Sequence, residues 1–155
     1  MHALRTAILE HTTADGVHHD WLVEDPTLAN PKAPTARLWT VRAAPPPQDW
    51  ARLERFELTA IPAHRRHYLT YQGPVAGNRG RVKRLAEGTC DARLWTAQRI
   101  VMTMQTDRMK LDLELTRLSA ELWLAKPPFT PRRCADASPP AVHPAGLAAR
   151  FPTSR

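Results

Sequence analysis

Two short segments near the start of the chain alternate between apolar and polar side chains, which predicts a β-hairpin. They are "LRTAILE" at Leu4–Glu10 and "HHDWLVED" at His18–Asp25. Successive side chains of a strand point to opposite faces, so every second residue shares a face. On the second strand, one face then carries His18, Asp20, Leu22 and Glu24. Asp15-Gly16 between the segments is a typical turn signal.

Similar short patterns recur along the rest of the chain. The further predicted strands are "ARLWTVRA", "HYLTYQGPV", "RVKRLAEGT", "ARLWTAQ", "RIVMTMQT", "RMKLDLELTRL" and "SAELWLAK". We expect a turn at Glu87-Gly88, and one or two helical turns in "DWARLERF" with Asp49 as the N-cap. In "RMKLDLELTRL" the strict period of two favours a strand, although its residues are good helix formers.

About nine short strands with little helix predict an all-β domain, a small closed or partly open β-barrel with one short helix. The composition changes at Pro127, after which proline, alanine and arginine dominate without any periodicity. Such a segment is typical of a disordered tail. We therefore predict a folded domain at residues 1–126 and a Pro/Arg-rich disordered tail at 127–155.

The charge of the chain indicates the class of its partner. Its 155 residues carry a formal net charge of +7 and give a pI of about 10.2. A small basic domain of this kind favours a polyanionic partner, most often nucleic acid. The two cysteines, Cys90 and Cys134, are too few for a disulfide framework or a cysteine-based zinc site. With no signal peptide and no long apolar run, we expect a cytoplasmic monomer without a membrane partner.

Three polar residues of the predicted hairpin form a candidate metal site. His18 and Asp20 share a strand face, and His11 lies at the end of the preceding strand. Two imidazoles and one carboxylate leave open coordination positions, which a catalytic Mn²⁺, Zn²⁺ or Fe²⁺ requires. The alternative is a surface histidine beside an aspartate, and the spacing alone does not separate the two.

Two basic segments are candidates for phosphate binding. "HRRHY" places His64, Arg65, Arg66 and Tyr68 within five positions. Guanidinium groups hold phosphate through paired N–H donors, and histidine or tyrosine can add further hydrogen bonds. A glycine-rich turn with Arg79 follows, without the Gly-Lys-Ser/Thr ending of nucleotide-binding loops. An exposed basic loop and a hairpin tip are the alternatives for the two segments.

The order of these motifs resembles the 3′-phosphoesterase family, the N-terminal domain of bacterial DNA ligase D and its small stand-alone relatives. The similar motifs are "EH", "HHDWLVE", "LWTV" and "HRRHYLTYQGPVAGNRGRVKRLAEGT". The resemblance implies a small β-barrel and a Mn²⁺-dependent hydrolase. Such an enzyme removes a ribonucleoside or a phosphate from DNA or primer-template 3′ ends in repair, including non-homologous end joining. It also implies metal ligands at His11, His18 and Asp20, and phosphate contacts at His64 and Tyr68.

The chain departs from that family at several positions. Leu22 stands where ligase-linked members carry arginine, "VRAAPP" offers only Arg42 in place of Pro-Lys-Gly, and Gln72 replaces a glutamate. The hypothesis is that nearby arginines supply the missing cations; they are Arg65, Arg66 and Arg79. A repair ligase or polymerase would then act in trans.

Two other classes of function fit the same sequence. One is a non-catalytic module that binds DNA ends or a repair protein and has kept the barrel without turnover. The other is a structural β domain with no affinity for metal or DNA.

Overall fold

The computed structural model describes residues 3–127, which form a closed antiparallel β-barrel. Its strands are β1 Leu4–Thr13, β2 Gly16–Glu24, β3 Arg37–Ala43, β4 Phe56–Ala60, β5 His64–Arg65, β6 Gly73–Pro74, β7 Arg81–Trp95, β8 Arg99–Thr106, β9 Lys110–Arg117 and β10 Leu122–Lys126. In this part of the chain, eight strands form the ring in the order β1-β2-β3-β4-β10-β9-β8-β7, and β7 pairs back with β1. The predicted all-β fold with a barrel is confirmed, and the barrel is closed.

The long strand β7 closes the ring because it pairs with two neighbours. Its first part pairs with β1 and its second part with β8, and Gly88 takes part in both pairings. A Cβ atom on Gly88 would lie 1.9 Å from the carbonyl oxygen of Gln105. Glycine is required here because two backbones approach closely, so the predicted turn at Glu87-Gly88 is wrong and the strand continues to Trp95.

The inside of the barrel holds the main apolar core. Trp21 and Val23 of β2 point into it, opposite to the face that carries His18, Asp20 and Leu22. The indole Nε1 of Trp21 donates to the Thr6 hydroxyl at 2.8 Å, which satisfies a polar group that would be costly to bury alone. The predicted alternation of β2 is therefore confirmed.

A second apolar cluster lies on the outer face of the barrel. Its buried members are Ala7, Leu9, Leu22, Leu38, Leu69 and Val82. Residues 61–80, here called the covering segment, lie over it and contribute Leu69, with Tyr68 and Tyr71 packed alongside. The predicted strand "HYLTYQGPV" is wrong over most of its length, because its apolar side chains pack on the barrel from a 3₁₀ turn at Arg66–Leu69. Of this segment, Gly73–Pro74 joins a ladder, as β6 beside β7.

The predicted helical turns in "DWARLERF" correspond to a 3₁₀ turn at Pro47–Arg52, and the end of the segment enters β4. Asp49 lies in the first turn and is not the N-cap, which is Pro46 without a side-chain cap. Trp50 fixes this turn to the barrel, since its indole is buried and its Nε1 donates to the carbonyl of Pro45 at 3.1 Å.

Strand β10 ends at Lys126. Apart from residue 127, the predicted tail lies outside the described residues and stays a prediction. No helix in the described range 3–127 has the length and apolar character needed to cross a membrane.

Candidate functional site

A pocket of about 720 Å³ lies between the outer face of the barrel and the covering segment. Its polar and charged lining residues are His11, Asp20, Arg37, Arg42, His64, Arg65, His67, Tyr68, Tyr71 and Arg79. Four of these are arginines and one is an aspartate, so the pocket is cationic. An anion is the ligand that such a lining favours.

The barrel side of the pocket follows from the period of two in its strands. Every second residue of a strand lies on the same face. His11 therefore lies on the outer face with Leu9, and Asp20 lies on it with Leu22. The ladder between β2 and β3 then puts Arg42 directly opposite Asp20. Apolar residues on one half of this face hold the covering segment, and polar residues on the other half line the pocket.

Asp20 lies at the centre of the polar contacts. Only 1% of the residue is exposed, and its Oδ1 accepts from Nε of Arg42 at 3.0 Å. Its Oδ2 lies 3.9 Å from Nε2 of His64. The Nδ1 of His64 donates to the carbonyl of Pro62 at 3.0 Å, because a carbonyl oxygen can only accept. The buried carboxylate therefore faces a guanidinium on one side and an imidazole on the other.

The covering segment brings aromatic side chains over this carboxylate. The ring of His64 packs edge-on against Tyr68 with centroids 5.5 Å apart, and His67 lies 4.2 Å from Tyr68. These rings come from the 3₁₀ turn and from β5, which pairs with β3. The hairpin cluster and the "HRRHY" cluster, separate in sequence, thus meet in one pocket.

His11 and His18 are opposite each other in the β1–β2 ladder, with ring centroids 6.3 Å apart. His11 lines the pocket, and its Nε2 donates to the carbonyl of Arg79 at 2.7 Å. His18 is not among the lining residues. Two of the three predicted metal ligands, His11 and Asp20, therefore lie in the pocket.

These three side chains do not fit a metal ion as they are arranged. Oδ1 of Asp20 is bound by Arg42, and Nε2 of His11 is directed to a carbonyl oxygen. Among residues 3–127, no group of three or more histidine, cysteine, aspartate or glutamate side chains is placed to hold a metal ion. The metal site at His11, His18 and Asp20 stays a prediction.

Of the predicted phosphate-binding arginines, Arg65 and Arg79 line the pocket and Arg66 does not. The Nη2 of Arg66 lies 2.5 Å from Oε1 of the buried Glu24, and its Nη1 donates to the carbonyl of Pro31 at 3.0 Å. Arg66 therefore fastens the covering segment to the barrel, because burial of Glu24 requires a cationic partner.

Arg42 is the main pocket residue that sequence analysis did not select. It was noted only as the remaining cation in "VRAAPP", since its position opposite Asp20 depends on the register between β2 and β3. The 12 residues from 25 to 36 connect these strands, and a connection of that length leaves the register open. The sequence signal for this contact is the opposite charge of Asp20 and Arg42 on two successive predicted strands.

The chain matches no protein-family model, and a comparison with curated proteins finds no match. The expected relation to the 3′-phosphoesterase family therefore stays a prediction that rests on the motifs quoted above.

Proposed function

We propose that the chain is a phosphoesterase that acts on the 3′ ends of DNA or of RNA–DNA primer-templates in DNA repair and leaves a 3′-OH. One observation carries this proposal. His64 and Tyr68 of the covering segment lie in the same pocket as Asp20 and His11 of the barrel. A cationic pocket that also holds an imidazole and a phenol offers both phosphate binding and proton transfer.

Recognition of the terminal phosphate would use the guanidinium groups around the pocket. Arg42 and Arg65 line it from β3 and from the covering segment, so cations stand on both sides of the opening. Planar guanidinium groups hold two phosphate oxygens at once, which orients the phosphorus atom as well as neutralising its charge. The terminal phosphate is the group that this arrangement selects.

His64 is suited to act on the leaving oxygen. Its ring is oriented by the bond from Nδ1 to Pro62, which leaves Nε2 facing Asp20 and the pocket. Water adds to phosphorus, and the bond from phosphorus to the 3′ oxygen breaks. The protons of the water stay on the released phosphate, and the imidazolium form of His64 gives the 3′ oxygen a proton that solvent then restores. The Tyr68 hydroxyl would hydrogen-bond a non-bridging oxygen of the phosphate.

Nucleic-acid backbone beside the pocket would meet exposed arginines. Arg37, Arg65 and Arg79 line the pocket and are exposed, and Arg37 is directly opposed to Arg65 in the β3–β5 pairing. Contacts of this kind hold phosphates without reading the base sequence. We therefore expect binding that weakens as salt concentration rises and that depends little on sequence.

The test is a 3′-end processing assay on a 5′-labelled primer-template that ends in a phosphate or a ribonucleotide. It is run with Mn²⁺ and with EDTA, because the residues proposed for binding and proton transfer should act without a metal ion. From the native chain we expect replacement of the terminal phosphate by a 3′-OH, or shortening of the strand that ends in a ribonucleotide. His64→Ala should lose about 100-fold or more of this activity.

The matched control is His19→Ala, which removes a histidine that pairs with Glu10 and does not line the pocket. It should retain the activity of the native chain. Intact substrate under both metal conditions would contradict the proposal.

A second candidate is a non-catalytic module that binds DNA ends or a repair protein. The ion pair of Arg42 with Asp20 favours it, because a carboxylate already engaged by a guanidinium is a poorer metal ligand. This candidate predicts salt-sensitive binding of DNA ends with no product in the assay.

A further inference from the structure

We infer that the positively charged group bound to Asp20 is the guanidinium of Arg42. This guanidinium, rather than a metal ion held by Asp20, binds the terminal phosphate. This inference rests on the proposed function and specifies how the same pocket recognises its substrate. The substrate class is a phosphate monoester at a nucleic-acid end.

The position of Arg42 is fixed by the sheet. Asp20 and Arg42 are directly opposed in the β2–β3 ladder, and their side chains point to the same outer face. Directly opposed residues have their Cβ atoms about 4.5–5.5 Å apart, which is a short span for an arginine side chain. Both strands belong to the closed ring, so the guanidinium is held by rigid elements and not by a loop.

One oxygen of Asp20 accepts a hydrogen bond from a guanidinium, and an imidazole lies near the other. Arg42 Nε lies 3.0 Å from Oδ1, and Nε2 of His64 lies 3.9 Å from Oδ2. A zinc-like ion bound to the carboxylate would sit about 2.0–2.2 Å from an oxygen. It would therefore lie beside a permanent positive charge, and Arg42 would have to leave before a metal ion could bind with full affinity.

The remaining donors of Arg42 are available to a ligand. A guanidinium has five N–H groups, and only the one on Nε points to Asp20. Within residues 3–127, the side-chain hydrogen bond of Arg42 is the one to Asp20, and the side chain is 37% exposed to the pocket. Its Nη1 and Nη2 groups are thus presented in the fork geometry that matches two oxygens of a phosphate.

The experiment compares two labelled duplexes of the same sequence by fluorescence anisotropy. One ends in a 3′-OH and the other in a 3′-phosphonate, in which carbon replaces the bridging oxygen and prevents hydrolysis. Each is titrated with protein in EDTA and in Mn²⁺. The variants are Arg42→Ala and the double variant Arg42→Ala with Asp20→Asn, which removes both charges and so keeps the fold free of an unpaired buried carboxylate.

The matched control is Arg99→Ala. Arg99 donates from Nε to Oε1 of Glu114 at 2.9 Å, so it forms the same kind of cross-strand ion pair outside the pocket. This variant should bind both duplexes as the native chain does.

We expect the native chain to prefer the phosphonate end by about tenfold or more in both EDTA and Mn²⁺. Both Arg42 variants should lose this preference while keeping salt-sensitive binding of the duplex. A preference that needs Mn²⁺ and survives in the double variant would overturn the inference and leave the proposed function standing. A native chain with no preference for the phosphonate end would overturn the proposed function and this inference with it.

Discussion

Glu24 of β2 and Arg66 of the covering segment form a buried ion pair, with Nη2 and Oε1 2.5 Å apart. Glu24 is fully buried, and its Oε2 accepts the backbone N–H of Arg5 at 2.9 Å. The pair ties residues 61–80 to the barrel wall. It therefore holds His64 over Asp20, although neither of its members lines the pocket.

Arg66→Ala should lower the free energy of unfolding by about 3–5 kcal/mol, because it leaves the carboxylate of Glu24 buried without a cation. Urea denaturation followed by tryptophan fluorescence measures the change. Arg65→Ala is the control, since that side chain is exposed and its removal should change stability by about 0.5 kcal/mol or less. Equal stability of the two variants would show that the covering segment does not depend on the ion pair.

Leu22→Arg introduces the arginine that ligase-linked members of the 3′-phosphoesterase family carry at the similar position, yet it should destabilise the chain. Leu22 is fully buried between the barrel and Leu69 of the covering segment. A guanidinium placed there without an acidic partner should cost about 3–5 kcal/mol, whereas Leu22→Met should cost less than about 1.5 kcal/mol. Thermal unfolding of both variants checks this. A stable Leu22→Arg variant with raised activity would contradict the apolar role of Leu22.

Burial raises the pKa of the Cys90 thiol from 9.0 to about 12, because desolvation penalises the thiolate. As pH rises, the Cys90 thiol therefore loses its proton at a lower pH in the unfolded chain than in the folded chain. The associated stability is fully present below pH 9 and declines up to about pH 12, by about 1.4 kcal/mol per pH unit.

Between pH 8 and pH 10.5, the native chain should therefore lose about 2 kcal/mol more unfolding free energy than Cys90→Ala. Urea denaturation at the two pH values measures both changes, and groups other than Cys90 contribute equally to each chain. Equal losses of unfolding free energy in the native chain and in Cys90→Ala would mean that the thiolate is not excluded from the core.

The elements whose physical signal is local could be predicted from the sequence. The hairpin, the two faces of β2 and the strand β9 follow from alternation over adjacent residues and from the turn at Asp15-Gly16. The placement of His11 and Asp20 in one pocket follows from the same alternation. Each lies two residues from an apolar residue of the outer face, so each lies on that face.

The features that depend on contacts between distant parts of the backbone could not be predicted from the sequence. Gly88 was interpreted as a turn, but the approach of Gln105 from β8 explains it. The aromatic residues of the covering segment were interpreted as a strand, but their apolar contacts are with the outer face of the barrel. The pairing of Asp20 with Arg42 was not found, because that register is set by closure of the whole ring.

The pairing of β7 with β1 also has a consequence for folding kinetics. His11 and Arg79, whose contact closes one side of the pocket, are 68 positions apart in the chain. Contacts between such distant residues form only after a large loss of chain entropy, and folds dominated by them reach the native state in milliseconds to seconds. A partly folded chain in which only the β1–β2 hairpin has formed would lack the contact between His11 and Arg79 and would therefore have no binding pocket. Affinity for a nucleic-acid end would therefore appear only in the last folding phase.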